Sequence, residues 1–212
     1  FKKNKIKVIS SGGTYKEIKK LKFECLEVSK FTNSPEVLEG RVKTLHPKIH
    51  AGILYKREKK SHLKDLKDNG FENIDLVIVN FYPFEKVLAK TKNHEKIIEN
   101  IDIGGPTMVR AAAKNYNDVT VITSNSQYDE LIKELSKFRG STSINFRQKM
   151  SQIAFTETAY YDALISNYFN KLTDNNFPMK KIIASNLIEK LRYGENPHQE
   201  SAIYSQNNFL NI

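Results

Sequence analysis

The stretch Ile74-Asp75-Leu76-Val77-Ile78-Val79-Asn80 decides the fold class of this chain. Its nearly continuous aliphatic side chains are typical of a parallel strand that is buried on both faces. Residues 119–123 predict a second strand of this kind, and a helix is expected to follow it from about residue 127 to residue 137. Because strands and helices alternate along the chain, the pattern predicts an α/β domain with a mostly parallel sheet.

Further elements on either side fit the same alternation. We expect strands over residues 5–10 and 23–28, a short helix from Thr14, a polar helix over 61–69 and a long helix over 145–169. The short helix is predicted from the Thr-x-x-Glu spacing of Thr14 and Glu17, which is that of a capping box. The long helix repeats apolar residues at helical spacing, so we expect these residues in the core or at an interface.

Composition limits the classes of function. The chain has 212 residues, of which 39% are hydrophobic and 27% charged, as in ordinary globular proteins. The net charge of +10 is spread over scattered lysines, which favours solvated surface charge, although an anionic partner stays open. We expect no membrane span and no signal peptide, because apolar runs are short and residues 1–5 are polar. The single cysteine, Cys25, fits a reducing cytoplasm.

Small polar residues follow three of the predicted strands. They occupy residues 10–14, Asn80 and residues 123–125, and the carboxyl ends of parallel strands are where open α/β sheets bind ligands. In the first group, Gly12 and Gly13 let backbone amides approach a ligand, and the neighbouring hydroxyls with a helix N-terminus suit a phosphate. Taken alone, the same turn is also an ordinary connection from strand to helix.

A second group of candidate residues is cationic. Arg41 and Lys43 flank Val42, so in an extended segment both side chains would point to the same side. The guanidinium fork of arginine and the mobile charge of lysine both suit a phosphate. A solvated basic loop is an equally good interpretation of this segment alone.

A third group surrounds a Gly-Gly-Pro turn that leads into an alanine-rich helix. The amides of Gly104 and Gly105 are candidates to face a developing oxyanion. Asp102 is a candidate proton acceptor or a helix cap, and Lys114 a candidate proton carrier or a surface residue at a helix end. His46 and His50 have the spacing of two metal ligands on one helix face, but Pro47 separates them and no third ligand is evident, so we expect no metal site.

Together these motifs resemble the bifunctional formyltransferase/cyclohydrolase family of purine biosynthesis. The matching segments occur in the family's order, at residues 11–14, 41–47, 50–54, 80–84, 101–105, 110–115 and 191–199. The resemblance implies a fold similar to methylglyoxal synthase, a Rossmann-like parallel sheet flanked by helices and followed by a helical segment. It implies a cyclohydrolase domain over residues 1–140, a helical extension and linker over 141–178, and the start of a formyltransferase domain over 179–212.

The resemblance also implies an activity, which is ring closure of 5-formamidoimidazole-4-carboxamide ribotide to inosine monophosphate with loss of water. The substrate contacts that it implies are Ser11, Gly12, Gly13, Thr14, Arg41, Thr44, Asn80, Ile103, Gly104 and Gly105. The residues that it places around the reacting groups are Lys43, Tyr82, Asp102 and Lys114. Our hypothesis is that Lys43, Tyr82 and the two glycine amides stabilise the oxyanion, while an Asp102–Lys114 ion pair handles protons.

No cofactor is expected for the ring closure, whereas the formyltransferase half of the family uses 10-formyltetrahydrofolate. Arg192 and Tyr193 match residues that contact substrate in that half, and the family is homodimeric. Members normally begin one strand earlier, with a Ser-x-x-x-Lys motif, and continue into a large formyltransferase domain. The chain begins with Phe1 rather than Met, as a fragment, a processed form or an engineered form would. We therefore expect weak activity from this chain.

Three other functions remain as alternatives. The first is a non-catalytic, nucleotide-binding regulatory domain of the same fold, which would need the phosphate ligands but not Lys43, Tyr82 and Asp102 together. The second is a methylglyoxal synthase, which would act on dihydroxyacetone phosphate. The third is a nucleic-acid binder, suggested by the charge of +10, for which the chain has no recognition motif.

Overall fold

The parallel strands lie where the aliphatic runs predict them. The computed structural model describes residues 6–205, so Lys5 of the predicted first strand lies outside the described residues. The parallel strands are β1 (Ile9–Ser10), β2 (Leu26–Glu27), β3 (Leu76–Ile78) and β4 (Thr120–Ile122). Strand β1 pairs in parallel with β2, and β3 pairs in parallel with β4. The predicted α/β arrangement of parallel strands flanked by helices is therefore confirmed.

Within residues 6–205, hydrogen bonds divide these strands into two separate pairs rather than one continuous sheet. Each strand is only two or three residues long. One hydrophobic core still covers both pairs, since Ile9 and Leu26 pack against the cluster that contains Val77 and Ile122. The aliphatic runs thus predict burial correctly, but not how far the hydrogen-bonded ladder extends.

Helices surround the strands. Their bounds are α1 Gly12–Lys20, α2 Val28–Thr32, α3 Pro47–Leu54, α4 Lys60–Asp68, α5 Phe84–Lys90, α6 His94–Glu99, α7 Gly104–Lys114, α8 Tyr128–Lys137 and α9 Ile144–Leu172. Helix α1 begins at Gly12 with Ser11 as its N-cap, so the capping box predicted at Thr14 is wrong. Helix α3 is a finding of the structure, because a proline between His46 and His50 suggests an interruption rather than a helix start. Proline occupies its first position, where the missing N–H has no partner to lose.

The long helix α9 belongs to the main core. Phe146, Met150 and Ala154 are buried in the same cluster as β4, and Ser151 Oγ donates a hydrogen bond to the Ala113 carbonyl at 2.8 Å. The small alanine side chains of α7 allow this close approach. Although α9 has 29 residues, neither it nor any other helix within residues 6–205 has the length and apolar character needed to cross a membrane.

A hairpin that the sequence analysis did not predict follows α9. Strands β5 (Asn186–Leu191) and β6 (Ser201–Ser205) pair in antiparallel fashion. Asn186 Nδ2 donates a hydrogen bond to Tyr160 OH at 2.9 Å, which ties the start of the hairpin to α9. Residues 206–212, the end of the proposed formyltransferase segment, lie outside the described residues.

We predict that Asn115→Ala lowers the free energy of unfolding by about 2 kcal/mol. Asn115 is 7% exposed. Its Nδ2 donates to the carbonyls of Ile53 at 2.8 Å and Tyr55 at 3.0 Å, so truncation leaves both acceptors without this donor at the junction of α3 and α7. Urea titration followed by circular dichroism measures the loss. Asn145→Ala, at an exposed position in the first turn of α9, is the control, and an equal loss in both variants would contradict the prediction.

Candidate active site

The loop that contains Lys43 and Thr44 lies close to the N-termini of both α1 and α7. A Cβ atom placed on Gly12, at the start of α1, would lie 3.6 Å from Lys43 Nζ. A Cβ atom placed on Gly104, at the start of α7, would lie 2.6 Å from Thr44 Oγ1. The segment Lys43-Thr44 therefore lies close to both helix starts. We call the surface formed by this segment, the start of α1, the start of α7 and Asp102 the rim.

Asp102 is held at this rim by backbone amides. Its Oδ1 accepts a hydrogen bond from the Gly105 N–H at 2.9 Å, and a side chain on Gly105 would collide with Oδ2. Burial raises the pKa of Asp102, while hydrogen bonds from the backbone of Gly105 and Tyr82 act against this rise. Because the Gly105 amide already donates to Asp102, it is not the free oxyanion donor that the sequence analysis expected.

Tyr161 on α9 fixes the backbone around Asp102. Its hydroxyl accepts a hydrogen bond from the Asp102 N–H at 2.8 Å and donates one to the Asn100 carbonyl at 3.2 Å. The ring packs against Phe81 and Phe84, with centroid distances of 5.2 Å and 6.0 Å. Sequence reasoning missed Tyr161, because nothing in its local pattern separates it from the other aromatic residues of α9.

Both cations of the second group lie in ion pairs with carboxylates of this chain. Arg41 donates to Glu99 through Nε at 3.1 Å and through a terminal nitrogen at 2.6 Å. Lys43 Nζ lies 3.3 Å from Glu36 Oε1. Arg41 has helical backbone angles, φ −64° and ψ −27°, so the argument that an extended segment would point both cations to the same side does not apply at Arg41. The sequence analysis also missed both acidic partners.

The predicted phosphate turn lies at the surface. Ser11 and Gly12 are half-buried, whereas Gly13 and Thr14 are exposed. Gly12 has φ +55°, a left-handed conformation that favours glycine. The turn therefore offers an open helix N-terminus rather than a closed cradle, and it lines neither of the two cavities that follow.

The first cavity, of about 410 Å³, lies at the carboxyl ends of β3 and β4. Asn80, Thr123 and Tyr161 line it, so two of the three predicted polar strand ends converge there. The buried Thr123 Oγ1 has no hydrogen-bond partner among the described residues. Tyr161 thus faces this cavity while it bonds to the backbone of Asp102. Of the other predicted contacts, Tyr82 and Ile103 are 54% and 58% exposed.

Lys114 lies at the far end of α7 from Asp102. The helix has 11 residues, which separates its ends by about 15 Å. Lys114 lines a second cavity, of about 330 Å³, together with His50 and Arg110. The expected Asp102–Lys114 ion pair is therefore wrong for this structure, because the two residues lie at opposite ends of one helix.

The two candidate metal ligands have other roles. His46 is the N-cap of α3, and its Nδ1 accepts a hydrogen bond from the Lys48 N–H at 3.1 Å. Burial lowers the pKa of His50, and a hydrogen bond with the Thr44 backbone acts in the opposite direction. Within residues 6–205 no group of three or more His, Cys, Asp or Glu side chains is placed to hold a metal ion.

Arg192 and Tyr193 lie in the loop between β5 and β6, and Tyr193 is 52% exposed. Among the residues that the structure describes, no hydrogen bond or ion pair joins them to the residues around Asp102. Their predicted role in a second reaction stays a prediction.

The fold and the rim define an α/β domain of the methylglyoxal-synthase type, and residues 1–107 match the family model described as an MGS-like domain. Residues 112–211 match the model described as the AICARFT/IMPCHase bienzyme. The chain therefore belongs to the AICARFT/IMPCHase bienzyme family, with an MGS-like domain as its first half. The two matched segments meet within α7, and the structure has no break there.

Relatives with the name bifunctional purine biosynthesis protein PurH are similar over nearly the whole chain. That of Clostridioides difficile is 47% identical over 204 residues, which are 96% of this chain and 40% of its own length. That of Prochlorococcus marinus is 50% identical over 203 residues, which are 95% of this chain and 38% of its own length. The chain thus spans about two fifths of the length of these relatives.

A solved structure is similar as well. The crystal structure of ForH superposes with a TM-score of 0.69 at 30% sequence identity. The match covers 78% of this chain and 87% of that chain. Because the match covers 78% of this chain, the similarity extends beyond the MGS-like residues 1–107.

We predict that the free energy of unfolding of Asp102→Asn increases relative to that of wild type as pH rises. Because burial raises the pKa of Asp102, the folded chain keeps this proton to a higher pH than the unfolded chain does. The stability contributed by this group therefore falls as pH rises from the ordinary aspartate range, near about 3.9, through the raised folded pKa. Asparagine keeps an acceptor for Gly105 and removes the titration. Urea titrations at pH 3 and pH 7 compare the variant with wild type, and the same difference at both values would contradict the assignment.

We predict opposite effects for alanine at two glycines of the rim. Gly105→Ala should lower the free energy of unfolding by about 1–3 kcal/mol, because the new Cβ collides with the Asp102 carboxylate and approaches Val79. Gly13→Ala should leave stability unchanged or raise it by up to about 1 kcal/mol, since a Cβ there meets nothing within 4 Å in the first turn of α1. Thermal unfolding compares the stability of the two variants with wild type. A larger loss of stability in Gly13→Ala than in Gly105→Ala would contradict the prediction.

Proposed function

We propose that this chain is the IMP cyclohydrolase portion of a bifunctional purine-biosynthesis enzyme. The reaction is closure of 5-formamidoimidazole-4-carboxamide ribotide to inosine monophosphate. One observation carries the proposal: the Lys43-Thr44 loop lies against the N-termini of α1 and α7, next to the half-buried Asp102. Family membership and the relatives named PurH support the same reaction class.

The chemistry requires positioning more than it requires reactive groups. The carboxamide nitrogen attacks the formyl carbon of the same molecule, the new C–N bond closes the ring, and the formyl oxygen leaves as water. Because both groups belong to one substrate, holding the near-attack rotamer supplies much of the rate. The amide nitrogen is a weak nucleophile, so a base for its proton and a donor to the formyl oxygen are also needed. We propose no cofactor for this step.

In this proposal the substrate phosphate lies over the start of α1. The N–H groups and dipole of a helix N-terminus attract an anion, and the turn at Ser11–Thr14 is open to solvent. Arg41 and Thr44 complete the phosphate contacts. The purine-forming end then lies toward the start of α7, where Asn80, Ile103 and Gly104 are the proposed contacts.

Asp102 is the proposed proton acceptor. Burial raises its pKa toward the operating pH, and a base works best when its pKa lies near that pH. Lys43 and Tyr82 are the proposed donors to the formyl oxygen, in place of the Gly105 amide, which donates to Asp102. Lys114 lies one helix length away and would reach the reacting groups only from a second subunit or after a rearrangement.

The remaining proposals concern the whole protein. We propose a cytoplasmic homodimer whose formyltransferase half uses 10-formyltetrahydrofolate, with Arg192 and Tyr193 as substrate contacts of that half. We also propose the cyclohydrolase domain over residues 1–140, the helical extension over 141–178 and the start of the formyltransferase domain over 179–212. Within this division, α9 packs into the core of the first domain.

We predict that Lys43→Ala and Asp102→Asn each lower kcat by about 100-fold or more, because each removes a group that acts on the transition state. An absorbance assay that follows inosine monophosphate formation from the formylated ribotide measures the effect. Lys64→Ala, at an exposed lysine of α4, is the control and should leave kcat unchanged.

Near-normal turnover in either folded variant would remove that residue from the mechanism. Ribotide binding by calorimetry without any ring closure would instead favour the non-catalytic nucleotide-binding domain.

A further inference from the structure

Two carboxylates of this chain form ion pairs with the cations at the rim. Glu99, the last residue of α6, holds the guanidinium of Arg41 through two hydrogen bonds, at 3.1 Å and 2.6 Å. Glu36 holds the ammonium of Lys43 at 3.3 Å. A carboxylate that grips a guanidinium fork in this way uses the same donors as a phosphate. The two cations proposed for the substrate are thus occupied by carboxylates that the sequence separates from them.

We propose that Glu99 is an internal competitor of the substrate phosphate, which must displace this carboxylate in order to bind Arg41. This inference rests on the proposed function, because it takes Arg41 as a contact of the substrate phosphate. A phosphate monoester carries nearly two negative charges and offers three acceptor oxygens near neutral pH. It can therefore replace the single carboxylate on Arg41, whereas a nucleoside has no anion with which to do so.

The exposure of the pairs makes this exchange feasible. The side chains of Arg41 and Glu99 are 63% and 58% exposed, so water screens their attraction and the pair opens readily. The Lys43–Glu36 pair is less exposed, at 25% and 39%, and is the harder one to open. Glu99 is therefore the carboxylate that an anionic ligand displaces more easily.

A backbone in an uncommon conformation lies beside the Lys43–Glu36 pair. Leu38, Glu39 and Gly40 take left-handed φ values of 54°, 55° and 89° in succession, which is uncommon for residues other than glycine. A Cβ on Gly40 would lie 2.8 Å from Lys43 Nζ and 3.5 Å from Glu36 Oε2. The pair thus packs closely against the Gly40 backbone, in contrast to the exposed Arg41–Glu99 pair.

Calorimetric titration of the chain with inosine monophosphate, and separately with inosine, tests the proposal. We expect Glu99→Gln to bind inosine monophosphate about twofold to fivefold more tightly than wild type, which is the range for an exposed ion pair. The gain should shrink as sodium chloride is raised toward about 0.5 M, because salt screens exposed charges. Affinity for inosine should stay the same in every variant.

The matched control is Glu95→Gln. Glu95 is an exposed glutamate on the same helix, so the substitution changes the net charge equally and does not touch Arg41. In turnover assays, Glu99→Gln should lower KM and leave kcat unchanged, since Glu99 acts on binding and not on the reacting atoms.

The outcomes separate this inference from the proposed function. If wild type binds inosine monophosphate but Glu99→Gln binds it no more tightly than Glu95→Gln does, the competitor role is wrong and the proposed function stands. If Glu99→Gln tightens inosine as much as its nucleotide, the gain does not act through the phosphate and the competitor role is wrong. If wild type neither binds inosine monophosphate nor closes the ring, the proposed function fails and this inference fails with it.

Discussion

The close approach of Thr44 to Gly104 is the contact on which the site depends. The hydroxyl of Thr44 lies where any side chain at residue 104 would have to be, so only glycine lets the loop pass this near to the start of α7. From the same loop, Lys43 reaches the start of α1 at Gly12. Two helix N-termini that belong to distant parts of the chain thereby face one shared surface. A phosphorylated ligand and a developing negative charge are both stabilised by such helix ends.

The local charge around Arg41 and Lys43 differs from the net charge of the whole chain. The net charge is +10, yet Arg41 and Lys43 are paired with Glu99 and Glu36. Excess lysine elsewhere is solvated and says little about the ligand. The local pairs matter more, because a ligand must replace partners that already satisfy the cations. Charge counted over the chain is therefore a poor guide to how strongly this rim attracts an anion.

The acidic residue of the site depends on packing that is remote in sequence. Asp102 precedes α7, but its backbone is held by Tyr161 of α9, and its carboxylate by the amide of Gly105. Burial raises the pKa of this carboxylate, while the amide hydrogen bonds keep the rise in check. The same aromatic residue borders the cavity at the ends of β3 and β4. The long helix is thus a support for the site as well as a part of the core.

Much of the fold was predictable because it follows from local rules. The aliphatic run before Asn80 and the run over residues 119–123 predict buried parallel strands, and the apolar spacing of residues 145–169 predicts α9. The start of α1 and the presence of α3 were not predicted correctly, because caps and first-turn prolines have the same sequence signals as other turns. The extent of the strand ladder depends on partners that no local window contains.

The sequence by itself determined the α/β class and the motifs that carry the family resemblance, because hydrophobic period and residue type are properties of neighbouring positions. Only the tertiary structure decided which residues meet at the rim. It separated Lys114 from Asp102 by the length of α7, and it paired Arg41 with Glu99 across 58 positions of sequence. Such choices depend on how helices and loops pack in space, and hydrogen bonds and ion pairs act over a few ångströms regardless of the distance along the chain.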